Sequence, residues 1–156
     1  MTRRFAAIWN SVSLTAATAK TILELPTILN VPILIDEIFI GSSASAAGNM
    51  SIELGVFTTT GTGTALTPQP WGSDQGASKL TTGKIADTVE PTGFTQGTLG
   101  GTIRPAINIP LPGYFAYQAV PGKEYYVIDT PINFAVRLTS SIANTTFGWI
   151  AWTERA

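Results

Sequence analysis

Cysteine and histidine are both missing from this 156-residue chain. Without cysteine there is no disulfide, no thiolate nucleophile and no Cys-ligated zinc or iron–sulfur centre. Without histidine the usual general base and the commonest metal ligand are gone, which excludes Ser/His/Asp and Cys/His catalysis. Charge is scarce too: 12% of the residues are charged, against about 25% in ordinary soluble domains. Nine Lys and Arg face ten Asp and Glu, a net charge of −1. That balance leaves no basic surplus for sequence-specific nucleic-acid contact and no polybasic face for a membrane. Long hydrophobic runs are lacking: no stretch nears the ~18 apolar residues of a membrane span. The run Phe5–Trp9 behind Arg3 and Arg4 is broken by Asn10 and Ser11, short of the roughly 7–15 apolar residues of a secretion-signal core. Nor does any stretch combine 3.6-residue periodicity with caps over three turns, so no long helix is expected.

What is present is polar without being charged: 23 threonines and ten serines. Soluble surfaces usually carry about 25–35% charged residues, so part of this one is expected to lie under other chains. The length fits one domain.

The dominant period is two. Met50, Ile52, Leu54 and Val56 alternate with Ser51, Glu53 and Gly55; Phe134, Val136 and Leu138 alternate with Arg137. Thr146 to Thr153 sets Phe147, Trp149 and Ala151 against Gly148, Ile150 and Trp152, apolar on both faces. Ile33 to Ile40 is apolar but for Asp36 and Glu37, which strict alternation puts on opposite faces. Further strand candidates are Val12–Ala16, Thr21–Leu25, Ile103–Ile109, Tyr114–Val120 and Tyr125–Ile128. The last two are expected to form a hairpin through Val120-Pro121-Gly122-Lys123, whose Pro-Gly centre suits a type II turn. Prolines flank the runs, as sheet hydrogen bonding requires. Many short strands with Gly/Pro turns make the fold class all-β, a sandwich or barrel. Residues 1–10 precede the first strand candidate and read as an N-terminal arm; residues 11–156 read as the domain. Residues 58–102 form a long loop-rich excursion with one short strand around Lys84–Val89, of a length that usually carries a function or packs on something.

No catalytic constellation assembles. No Gly-x-Ser-x-Gly elbow exists. Gly61-Thr62-Gly63-Thr64 lacks the lysine and helix of a phosphate loop. Asp74, Asp87 and Glu90 are too dispersed for a calcium loop. Asp36 and Glu37 read as salt-bridged or interface acids rather than acid–base catalysts, since ionised groups on an apolar strand need partners. The reading is therefore non-enzymatic, with no cofactor, no metal and no catalytic residue. Trp9, Trp71, Trp149 and Trp152 suggest a sugar-stacking platform or, more simply, core and interface packing; Trp149 and Trp152, three apart, face opposite ways. No ordinary side-chain pKa falls between glutamate and the lysine–tyrosine range, so stability is expected to be nearly flat from about pH 6 to 8 unless burial moves Asp36 or Glu37.

The run Asn108-Ile109-Pro110-Leu111-Pro112-Gly113-Tyr114-Phe115-Ala116-Tyr117-Gln118-Ala119-Val120-Pro121-Gly122-Lys123-Glu124-Tyr125, the strand Phe134–Leu138 and the closing Trp149-Ile150-Ala151-Trp152-Thr153-Glu154 resemble small virion proteins of tailed bacteriophages. Ser13–Leu25 and Glu90-Pro91-Thr92 fit the same pattern. The resemblance covers about two thirds of the chain, leaving Thr58–Thr82 largely outside it. It implies a jelly-roll-like single-domain β-sandwich and the role of a capsid decoration (cement) protein. Such a protein is made in the host bacterial cytoplasm, sits in the virion head and binds the major capsid protein as a homotrimer. A tail or fibre component, or a receptor- or carbohydrate-binding sandwich, is the alternative. On this reading Arg3, Arg4, Phe5, Ile8 and Trp9 of the arm contact the capsid, and Ile35, Glu37, Phe39, Ile150 and Trp152 form the oligomer interface.

Overall fold

Alternation at period two is realised as thirteen strands among the described residues. The structure, a computed structural model, describes residues 2–26, 28, 31–72, 76–96, 106–120, 125–127 and 133–155. The strands are β1 (Thr2–Leu14), β2 (Ala19–Leu25), β3 (Ile33–Ser42), β4 (Gly48–Phe57), β5 (Thr62–Ala65), β6 (Gln69–Pro70), β7 (Lys84–Val89), β8 (Thr95–Gln96), β9 (Ile107–Leu111), β10 (Tyr114–Gln118), β11 (Tyr125–Val127), β12 (Asn133–Ser140) and β13 (Asn144–Arg155). They form two antiparallel sheets, packed face to face. One runs β10-β3-β13-β1-β6, with β11 also on β3; the other runs β5-β7-β2-β12-β4-β8, with β9 also on β4.

Eight strands carry the sandwich, and their pairing is nested. β1 pairs β13, β2 pairs β12, β3 pairs β10 and β4 pairs β9, while β3–β13 and β4–β12 stitch these pairs into sheets. First-with-last pairing of this kind is the topology of a jelly roll, a long hairpin rolled into two layers. Between the layers lie Phe5, Trp9, Ile22, Ile35, Ile38, Ile52, Phe134, Leu138, Ile150 and Trp152, all buried.

The N-terminal segment does not form an arm. β1 begins at Thr2 rather than Val12, and its pairing with β13 runs from Thr2↔Arg155 to Leu14↔Asn144. Phe5, Ala7 and Trp9 alternate into the core. The Asn10-Ser11 step is a bulge inside the strand, with Ser11 at φ 52°, not its start. An inserted residue bends and twists a strand without ending it. The sandwich thus incorporates residues 2–14.

Two further expectations change. β10 and β11 do not pair as a hairpin: both run antiparallel to β3, β10 along Gly41–Glu37 and β11 along Ile35–Ile33, in line with each other. The β3 edge is long enough to take both segments end to end, so its hydrogen bonds outcompete the local pairing. The turn residues 121–124 lie outside the described residues. The described residues of the excursion 58–102 carry four short strands, β5 to β8, rather than one.

That excursion is held down by carboxylates. Glu154 is buried and accepts from the Ser78 hydroxyl, Lys79 N–H (2.9 Å) and Trp152 Nε1–H (3.3 Å). Glu24, also buried, accepts from Gly61 N–H at 2.8 Å. Glu90 accepts from Thr21 N–H at 2.8 Å and from the Thr21 hydroxyl. Charge-assisted bonds of this type are worth about 1.5–3 kcal/mol each when buried. Leu66 and Leu80 complete the attachment by dipping into the core.

Candidate functional site

Sheets with one solvated face normally alternate apolar-in and polar-out. The outer face of the β10-β3-β13-β1 sheet breaks that rule. Register alone builds a row across it: Ile8 of β1 lies opposite Trp149 of β13, Trp149 opposite Phe39 of β3, and Phe39 opposite Ala116 of β10. Directly opposed side chains in antiparallel sheets are in packing range. Phe39 and Trp149 stack with ring centroids 4.4 Å apart and 13° between planes, and Tyr114 stacks on the other side of Phe39 at 5.8 Å. Phe147, 6.4 Å from Phe39, lies over Gly41, where a Cβ would come within 2.5 Å of its ring. Trp71, just past β6, extends the row beyond Ile8.

These side chains stay open to solvent. Ile8 is 61% exposed, Tyr114 69%, Trp71 53%, Phe147 41% and Trp149 38%. Two shallow hollows flank Trp149, each of about 250 Å³; one is walled by Ile8 and Trp71 over Ala6, the other by Phe39, Ala116, Glu37 and Gln118. Contiguous apolar patches of this kind mark interaction sites, whereas single exposed hydrophobes do not.

Next to the aromatic row the face turns polar through one bulge. β3 inserts a residue at Asp36, since Glu37 opposes Ala151 while Ile35 opposes Trp152. The extra residue puts Asp36 and Glu37 on the same side, not on opposite faces. Both meet Arg4: its Nε is 3.3 Å from Asp36 Oδ2 and its Nη2 2.8 Å from Glu37 Oε1. Thr153 donates its hydroxyl to Asp36 at 2.7 Å. The guanidinium of Arg4 also lies 4.3 Å from the Trp71 ring centroid, a cation–π contact that steadies the indole. The two acids are thus salt-bridged, as their surroundings demanded.

The residues singled out from sequence divide sharply. Arg4, Ile8, Glu37 and Phe39 come together on this outer face; half-buried Arg3 has the inward parity of Phe5 and lies beside Gly76 instead. Phe5 and Trp9 do not contact the outside; they fill the core, Trp9 packing where a Cβ on Gly148 would come 2.5 Å from its ring. Ile35, Ile150 and Trp152 are likewise 0% exposed and belong to the same core, so they form no oligomer interface. Their inward placement follows from sheet parity. Trp149, Phe147, Tyr114 and Trp71 are the large apolar side chains exposed on the outer face instead. The signal for three of these was the two-sided apolar run on β13 and the aromatic β10; for Trp71, nothing in the sequence linked it to β1.

Elsewhere the titratable groups are structural. No cluster of three metal-ligating side chains occurs among the described residues, and no helix among them is long and apolar enough to cross a membrane. Asp87, buried on β7, has its carboxyl pushed up to about 9 by burial and by the neighbouring Glu24. Asp87 is thus an acid that burial moves.

No protein-family model matches the chain, and no curated protein matches its sequence.

Proposed function

We propose that this protein is a non-enzymatic decoration (cement) protein of a tailed-phage head, bound to the major capsid protein as a homotrimer. The aromatic row Ile8–Trp149–Phe39, extended by Trp71 and Tyr114, carries the proposal. It is an open apolar face on a chain with 12% charge and a jelly-roll topology. A shell under pressure from packaged DNA gains strength from buried area added across its subunit junctions. Stacked rings and aliphatic side chains make such contacts with little dependence on ionic strength, unlike exposed ion pairs. Many copies on a lattice reinforce one another, so modest single-site affinity gives a high total barrier.

The test is binding of the purified protein to undecorated shells of the parent particle at low and high salt. Saturable, salt-resistant decoration is expected, with Trp149→Glu or Ile8→Glu losing it while remaining folded. Sedimentation at micromolar concentration is expected to give a trimer. Release by moderate salt alone contradicts an apolar clip, and a monodisperse monomer contradicts the trimer.

One observation favours a second reading, a saccharide-binding module. The hollow beside Trp149 places Glu37 and Gln118 next to aromatic rings, the pairing of stacking surface and hydrogen-bonding groups that sugars use. Selective binding in a sugar array, with no binding to shells, decides for it.

A further inference from the structure

On the opposite sheet, Glu24 of β2 and Asp87 of β7 meet in the interior. Glu24 is 0% and Asp87 3% exposed. Glu24 Oε1 accepts from Gly61 N–H. Among the described residues, Glu24 Oε2 and both Asp87 carboxyl oxygens receive no donor from the rest of the protein. Buried carboxyl oxygens without a donor are costly, and two adjacent buried carboxylates more so. One proton held between the two groups turns one of these three oxygens into a donor, gives a second its partner and removes one of the charges.

The local backbone builds this meeting. β7 carries a bulge against β5, where Thr62 opposes Val89 but Thr64 opposes Ile85. Ala86 sits in it at φ 55°, a left-handed conformation that a residue with a Cβ seldom adopts. The bulge re-aims the chain so that Asp87 points inward. Above the pair lie Gly61 and Gly63. A Cβ on Gly61 would come 2.9 Å from both Asp87 Oδ2 and Glu24 Oε1, and one on Gly63 would come 2.4 Å from Asp87 Oδ1. Only glycine lets the 61–63 backbone close over the carboxyls.

We propose that Glu24 and Asp87 share one proton and form a latch that holds the loop around Gly61 and β5 against β2, opening when that proton is lost. The surrounding charges are few. On β7, Lys84 favours ionisation of Asp87; Glu90, just past β7, opposes it. β5 has no ionisable side chain, Lys20 of β2 donates to Ser13 C=O, and Arg137 of the neighbouring β12 is engaged by Glu53. The direction of the pH dependence follows. The folded protein keeps a proton on the pair that the unfolded chain releases near its ordinary carboxylate pKa. The stabilisation is therefore complete in acid and falls as pH rises, until Asp87 itself ionises near pH 9.

The experiment is carboxyl 13C NMR of the intact protein, with thermal melts from pH 5 to 10 and amide exchange at Gly61. The Asp87 carboxyl is expected to titrate above pH 7. The folding constant should fall by up to about tenfold per pH unit through neutrality, and Gly61 exchange should accelerate in alkali beyond its intrinsic rate. Asp87→Asn, which keeps a donor but cannot ionise, should flatten the melting profile. An Asp87 midpoint below pH 5 overturns the proposal without any variant having to fold. So does an Asp87→Asn profile as steep as wild type. Calcium that raises the melting temperature at pH 8 in wild type but not in Asp87→Asn assigns the pair to a cation and overturns it too.

Discussion

The outer faces of the two sheets are built by the same alternation and carry opposite chemistry. On the β4–β12 side, Glu53 and Arg137 face each other across the strands in a bidentate pair at 2.8 and 3.1 Å. Phe94 from the excursion lies 3.9 Å from the Arg137 guanidinium and covers Gly55. That face is closed by the chain's own loops. On the β3–β13 side the rings of Tyr114, Phe39, Trp149 and Phe147 stand uncovered. A sandwich needs only its inner faces apolar to fold, so the aromatic outer face is surplus to folding.

Four perturbations test this contrast, the strongest first. Removing residues 1–10 takes away most of a strand paired along β13, so loss of the cooperative thermal transition is expected, not a folded sandwich with weaker attachment. Next is the pair of tryptophans three residues apart on β13. Trp152→Ala empties a fully buried site and should cost about 3–5 kcal/mol in denaturant unfolding. Trp149→Ala, on the open side, should cost about 1 kcal/mol or less while abolishing shell binding. Equal costs for the two would erase the distinction between faces. Glu154→Ala leaves the Lys79 N–H and Ser78 hydroxyl without their acceptor and should cost about 1–3 kcal/mol, with faster amide exchange confined to residues 78–80. Smallest is Arg137→Met on the closed face, at about 1 kcal/mol or less, because the Arg137–Glu53 pair is partly solvated.

Regular alternation made the inner faces of β4 and β12 legible in the sequence, since Ile52 and Leu138 sit where period two puts them; on β13 it gave two apolar faces, and only the pairing shows that Ile150 and Trp152 make up the inner one. Bulges hid the rest. Asn10-Ser11 read as the end of an apolar run and turned a strand into an arm; Asp36 shifted the parity of β3 and set two acids on one side. Neither insertion changes composition, so only the register with a partner strand reveals it. The buried carboxylates were hidden for another reason. Glu24 and Glu154 look like ordinary outward residues of strands, and their partners, Gly61 and Lys79, are far away in sequence. The aromatic face was half legible: the two-sided apolar β3 and β13 announced it, but Trp71 joins only through the short β6 pairing to β1.

The nested pairing has a consequence for synthesis. β1 is made long before β13, its partner along one edge, and along the other edge two residues of β6 pair with it among the described residues. Until then the inward side chains Phe5, Ala7 and Trp9 and the outward Ile8 wait together without a permanent cover. Contacts this distant in sequence fold slowly, on the order of milliseconds to seconds, and exposed strand edges associate meanwhile. A nascent chain stalled before residue 144 is therefore a strong candidate for chaperone capture, and yield in the cell should depend on how quickly translation passes β13 rather than on the stability of the finished fold.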